Sequence, residues 1–139
     1  MAAFNKFNAF VENLAEKTFN LQTDTLRIML TNAAPVATNS VRANLTEISA
    51  GNGYTAGGTA CTVSSSAQTS GTYKLVLADV VFTASGGIIG PFRYAVLYDD
   101  TATNDELIGW WDYGSSIQLA DTETFTVDFD AAAGVLTLA

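Results

Sequence analysis

Histidine is absent from this sequence, and cysteine occurs once, at Cys61. The commonest general base and the commonest metal ligand are therefore missing, and neither a Ser-His-Asp nor a Cys-His arrangement can be assembled. A lone cysteine also excludes an intrachain disulfide and a cysteine-based zinc site, and it reads as a small buried strand residue. Positive charge is scarce: six Lys and Arg stand against fourteen Asp and Glu, for a net charge of −8. All six bases lie in residues 1–98 beside five carboxylates, whereas Asp99 to Ala139 carries nine carboxylates and no base. Such a surface repels phosphate backbones, which excludes nucleic acid as a partner, and it keeps copies apart until something specific holds them. No apolar run approaches the roughly 18 residues of a membrane span. The opening "MAAFNKFNAFVENLAEK" lacks the basic end and unbroken apolar stretch of a signal peptide, so the expectation is a soluble chain outside the usual export route, with no membrane partner.

What is present is a packed composition. With 139 residues, 48% of them apolar and 14% charged, the chain fits one domain over 1–139. Phe4, Phe7, Phe10, Val11 and Leu14 recur at steps of three and four, and the spacing predicts one amphipathic helix of about four turns within residues 1–21. From 25 to 139 the pattern changes to short β-branched or aromatic runs: "TLRIMLT", "TACTVSSS", "TYKLVLADVVFT", "PFRYAVLYDD", "ELIGWWDY", "SSIQLA", "ETFTVDF" and "GVLTLA". Phe125, Val127 and Phe129 alternate with Thr124, Thr126, Asp128 and Asp130, the period of a strand with one wet face. Runs at spacings near ten residues, without helical crossovers, predict a mainly β fold: an antiparallel β-sandwich or jelly roll of about eight strands with one N-terminal helix. The irregular stretch 32–49 is expected to cross the end of the sandwich, with room for one helical turn.

Three motifs invite a chemical reading. In "EISAGNGYTAGG" (47–58), Gly51, Gly53, Gly57 and Gly58 resemble a phosphate loop, but the β-branched, Lys-free run after them is no helix N-terminus, so the glycines read as positive-φ turn positions. Asp99, Asp100, Asp105 and Glu106, with Asp112 beyond, are paired carboxylates of the kind glycoside hydrolysis uses. Neighbours on a strand point to opposite faces, however, and "YDDTATNDE" reads instead as a solvated hairpin. Its oxygen donors also suit a divalent cation, although the spacing of a helical calcium loop is missing. No catalytic residue, cofactor or metal ligand is therefore assigned. In "GWWDYG" (109–114) Trp110 and Trp111 face opposite sides of a strand, so at most one belongs to the core on a two-sided sheet. The other, with Tyr113, is then an exposed aromatic suited to a protein interface or to stacking on a sugar.

Taken together, "FNKFNAFVENLAEKTFNL", "TLRIMLTNAAPVATN", "LTEISAGNGYTAGG", "SGTYKLVLADVVFTASGGIIGPFRYAVLYDD" and "IGWWDYGSSIQLADTETFTVDFDAAAGVLTLA" resemble a group of small virion structural proteins of tailed bacteriophages. The likeness spans almost the whole chain and brings no catalytic residue with it. It implies a structural, non-enzymatic role as a head decoration (cement) protein, or as a minor tail or fibre component. The implied partners are the major capsid protein and further copies of this chain, as a dimer or trimer. The implied location is the virion, after synthesis in the host cytoplasm. The interface candidates are Phe4, Phe7, Phe10, Trp110, Trp111 and Tyr113, with the Phe stripe either capping the sheets or docking on a partner. The competing class is a tail adhesin or carbohydrate-binding module working through the exposed Trp and Tyr.

Overall fold

A run that alternates apolar and polar residues buries one face when it pairs, and in this chain every pairing is antiparallel. The computed structural model describes residues 2–139. In chain order its elements are β1 (Asn5–Lys6), α1 (Ala9–Ala15), β2 (Leu26–Thr31), β3 (Thr59–Ala60), β4 (Val63–Thr69) and β5 (Thr72–Leu77). They continue with β6 (Val80–Thr83), β7 (Ile89–Asp99), β8 (Leu107–Leu119), β9 (Thr124–Val127) and β10 (Leu136–Leu138). Among the described residues the fold is thus mainly β with one short α-helix, and it has ten strands where about eight are expected. The difference arises where runs divide or fuse. "TACTVSSS" divides into β3 and β4, and "TYKLVLADVVFT" breaks at Ala78 and Asp79 into β5 and β6. "ELIGWWDY" and "SSIQLA" join into the single long β8, and β1 adds a short strand in the N-terminal stretch.

The strands form a five-stranded sheet in the order β1-β8-β7-β2-β3, a three-stranded sheet β10-β5-β4 and a two-stranded ribbon β6-β9. One face of the large sheet, with Leu26, Ile28, Leu30, Leu97 and Ile108, shares the main core with Leu75, Leu77, Val80, Phe82 and Val127 of the other two. The opposite face is also covered. Phe7, Met29, Val96, Tyr98 and Leu107 form a second cluster there, closed by Leu45 and Trp110. Leu45 belongs to the 32–49 stretch, which contains a 3₁₀ turn at Arg42–Asn44 and is bonded to the sheet through Ile48 N–H to Leu30 O (3.1 Å) and Leu107 N–H to Ser40 O (3.0 Å). It therefore lies across the outer face of the large sheet.

The N-terminal stripe departs from the expected four-turn helix, since only Ala9–Ala15 is helical. Asn5 and Lys6 instead pair with Trp110 and Gly109 at the edge of the large sheet. A step of three keeps two side chains on one face of a helix but sends them to opposite faces of a strand. Phe4 accordingly meets Trp111 on the inner face and Phe7 meets Trp110 on the outer one. Phe10, on α1, stacks with Phe19 in the main core.

β5 and β6 lie almost end to end, and β9 and β10 run antiparallel to them in turn. The registers Val127 to Val80 and Leu136 to Leu75 leave residues 128–135 opposite residues 76–79, so the β9–β10 line bulges. On the other side of β5 lie β4 and the chain that leads into it, held by Ala78 N–H to Thr62 O at 2.9 Å.

Candidate functional site

The bulged β9–β10 line and the neighbouring strip of the large sheet enclose a cleft of about 390 Å³. Its walls carry Phe4, Phe92, Trp111, Tyr113, Phe125 and Phe129. The rings touch in sequence: Phe4 to Trp111 at 5.3 Å between centroids, Trp111 to Phe129 at 5.5 Å, Tyr113 to Phe125 at 5.6 Å, and Phe92 to Phe125 at 5.0 Å. Such contacts fix the orientation of each ring as well as burying area. Tyr113 remains 55% exposed, which leaves one aromatic face open at the mouth.

The cleft's polar groups are at its rim. Arg93 donates from Nε and Nη2 to the two oxygens of Asp112 at 2.8 and 3.0 Å, a bidentate pair that holds the Asp112 carboxyl below the usual carboxylate range. The Asp130 carboxylate accepts from the N–H groups of Ala132 and Ala133 (2.8 and 2.9 Å), which lowers its pKa and shapes the bulge. Asp128 stands exposed beside it. The site thus combines apolar aromatic walls with carboxylates at the mouth.

Of the six sequence candidates, the structure brings Phe4, Trp111 and Tyr113 into this cleft. Trp110 lies on the opposite face of the large sheet with Phe7, ring centroids 4.5 Å apart. Phe7 and Phe10 are buried within the chain itself, so neither presents a side chain to a partner; the stripe caps the sheets. The expectation that one Trp is core and the other exposed also changes. Both are half-buried: Trp110 packs on Phe7 in the outer cluster, and Trp111 packs on Phe4 and Phe129 at the margin of the main core. Sequence reading missed Phe92, Arg93 and Phe129 as cleft residues. The alternation of Phe125, Val127 and Phe129 was the available signal, and it marks a buried face without telling core from cleft.

The glycine-rich segment is a structural hub. Glu47 Oε1 accepts from the Tyr54 hydroxyl at 2.7 Å and the Gly57 N–H at 2.6 Å, while Oε2 accepts from Arg42 Nη2 at 2.8 Å. The Tyr54 hydroxyl in turn accepts from Leu30 N–H at 3.0 Å, and Tyr98 donates to Gly57 O at 2.6 Å. Burial, reinforced by Glu47, pushes Tyr54 far above the usual phenol range. Gly51 and Tyr54 exchange backbone hydrogen bonds around Asn52 and Gly53, both at positive φ, which is the two-residue turn that glycine and asparagine favour. At Gly58, also at positive φ, a Cβ would overlap the Ile28 carbonyl.

The 99–106 hairpin is not uniformly solvated. Asp99 is wholly buried, and its Oδ1 accepts from Thr101 and Ala102 N–H at 2.9 and 3.1 Å. Burial, and then the adjacent Asp24 carboxyl, push Asp99 up to about 8. Glu106 accepts from Asn104 N–H, and Asp105 pairs with Arg42 at 3.4 Å. Among the described residues no group of three or more His, Cys, Asp or Glu side chains could hold a metal ion, and no helix is long and apolar enough to cross a membrane. Cys61 packs against the main core, and burial pushes its thiol up to about 12.

Compared with known proteins, the chain matches no family model, and no curated protein or solved structure matches it.

Proposed function

We propose that this chain is a virion structural protein of a tailed bacteriophage, a decoration protein that binds the major capsid protein lattice and stabilises it. The observation that carries the reading is the open aromatic cleft on a chain that turns most of its other rings inward. A concave apolar surface with a polar rim is what a partner protein's side chains fill. The resemblance read from the sequence supports the setting we propose: synthesis in the host cytoplasm, residence in the virion, and a structural role. With it we read the two layers of strands as a β-sandwich of jelly-roll type. A block of 139 residues offers only a modest patch to each neighbour, so assembly as a dimer or trimer, with several linked contacts, provides a firm hold on a repeating lattice.

A second reading has its own support. Trp111 and Tyr113, with the Arg93–Asp112 pair beside them, also suit a sugar ring and its hydroxyls, as in a tail adhesin. The experiment adds purified protein to capsids that lack it and measures occupancy and the temperature at which heads rupture. Saturable binding with a raised rupture temperature is expected. Binding to tails or host glycans, with bare heads untouched, moves the protein to the adhesin class.

A further inference from the structure

We infer that the cleft is a strand-addition site: it takes an extended segment of the partner protein that alternates apolar side chains with Lys or Arg, laid along the free edge of β9. This names the partner chemistry for the cleft and rests on the proposal that the chain binds a partner protein.

The first observation is topological. The large sheet is five strands wide, whereas the layer facing it is three across: β4, the β5–β6 line and the β9–β10 line. Between β9 and the β1–β8 side of the large sheet a strip of the inner face has no facing strand, and the cleft occupies it. The cleft residues locate this strip beside β9: Phe4, Trp111 and Tyr113 come from the β1–β8 side, and no residue of β5 or β6 lines the cleft. Among the described residues β9 and β10 each pair on one side only, β9 with β6 and β10 with β5. A free backbone edge next to uncovered aromatic surface is the arrangement to which an extended peptide adds, with backbone hydrogen bonds for affinity and alternate side chains in the apolar strip.

The second observation is charge. Asp128 and Asp130 follow β9 at the mouth of the cleft on the strand's outward parity, and Arg93, the base in the cleft, is already held by Asp112. Lys74 is engaged from behind, its Nζ donating to Ala132 O at 2.8 Å. Carboxylates and bulges are also how native edges repel their own kind. A second copy pairing antiparallel through β9 would gather Asp128 and Asp130 of both copies on one outward face, an arrangement that like-charge repulsion disfavours. The edge therefore selects a foreign, basic strand. Inward apolar side chains would meet Trp111 and Phe125, while outward Lys or Arg would meet the carboxylates.

The test uses the blocked peptide Lys-Val-Lys-Val-Lys-Val, its Glu-Val counterpart and cellobiose, followed by amide hydrogen exchange and tryptophan emission. Variants Tyr113→Ala and Asp128→Lys alter exposed side chains, and their melting is checked first. The basic peptide is expected to slow exchange at Thr124–Asp130 and to bind about tenfold more weakly to either variant, with the acidic peptide inert. No protection of that edge, or equal protection by the acidic peptide, overturns the inference. A response to cellobiose in its place assigns the cleft to glycan and overturns it as well. The same variants are then added to heads. If wild type binds and both variants bind equally well, the cleft assignment fails and the virion role survives. If wild type does not bind heads at all, the virion role fails while the peptide result stands by itself.

Discussion

Trp110 and Phe7 meet with ring centroids 4.5 Å apart on the outer face of the large sheet, back to back with the Trp111–Phe4 contact on the inner face. Two consecutive tryptophans are thus tied to two phenylalanines three residues apart, through the short pairing of β1 with β8. The N-terminal segment consequently stitches both clusters to the sheet edge before the helix begins.

Phe7 is completely buried, so Phe7→Asp is expected to remove a large apolar contact and leave an unpaired charge, at a cost of about 4 kcal/mol or more. Phe7→Leu keeps most of the volume and should cost about 1–2 kcal/mol. Urea denaturation measures both. Equal midpoints for wild type and Phe7→Asp would show that the segment contributes nothing to folding. Trp110→Ala should lower stability without touching the partner cleft, in contrast to Trp111→Ala, which should impair both.

Glu47 satisfies three donors at once, so Glu47→Ala leaves the Tyr54 hydroxyl, the Gly57 N–H and Arg42 each short of an acceptor. A loss of about 2–4 kcal/mol is expected, with Glu47→Gln recovering part of it because one acceptor oxygen remains. Thermal melting is the readout. An alanine variant as stable as wild type would remove this network from the account of the fold.

Asp99 sets a pH dependence. Its folded pKa, about 8, lies above the ordinary value of 3.8, so the folded state holds its proton more firmly than the unfolded chain does. The stability this contributes is fully present below about pH 4 and is lost as pH rises through about 8, with a slope of at most about 1.4 kcal/mol per unit. Asp99→Asn keeps an acceptor for Thr101 and Ala102 and has no proton to lose. The stability difference between variant and wild type should therefore shift in the variant's favour from pH 4 to pH 8. Parallel pH profiles for the two proteins would count against a protonated Asp99.

Much of the strand pattern is legible in the residues themselves. "ETFTVDF" and "PFRYAVLYDD" fall on β9 and β7 because alternation and β-branching act locally, and the turn at Gly51–Tyr54 sits where Asn-Gly permits positive φ. The helix is less legible. Phe4, Phe7 and Phe10 fit a helical stripe as well as they fit a strand followed by a helix, and only the pairing of Asn5 and Lys6 with a strand more than a hundred residues away decides between them.

The sequence by itself determined that this protein is mainly β and antiparallel, that a short helix lies near its start, and that its C-terminal part is acidic. These follow from residue-by-residue preferences and from periodicity, which need no knowledge of distant partners. Tertiary structure alone decided that Trp110 and Trp111 are both half-buried, that Asp99 is sealed from water, and that Phe4, Trp111 and Phe129 meet in one cleft. Alternation says which side of a strand a residue occupies; what covers that side depends on long-range pairing, on how many strands lie opposite, and on where the facing layer ends.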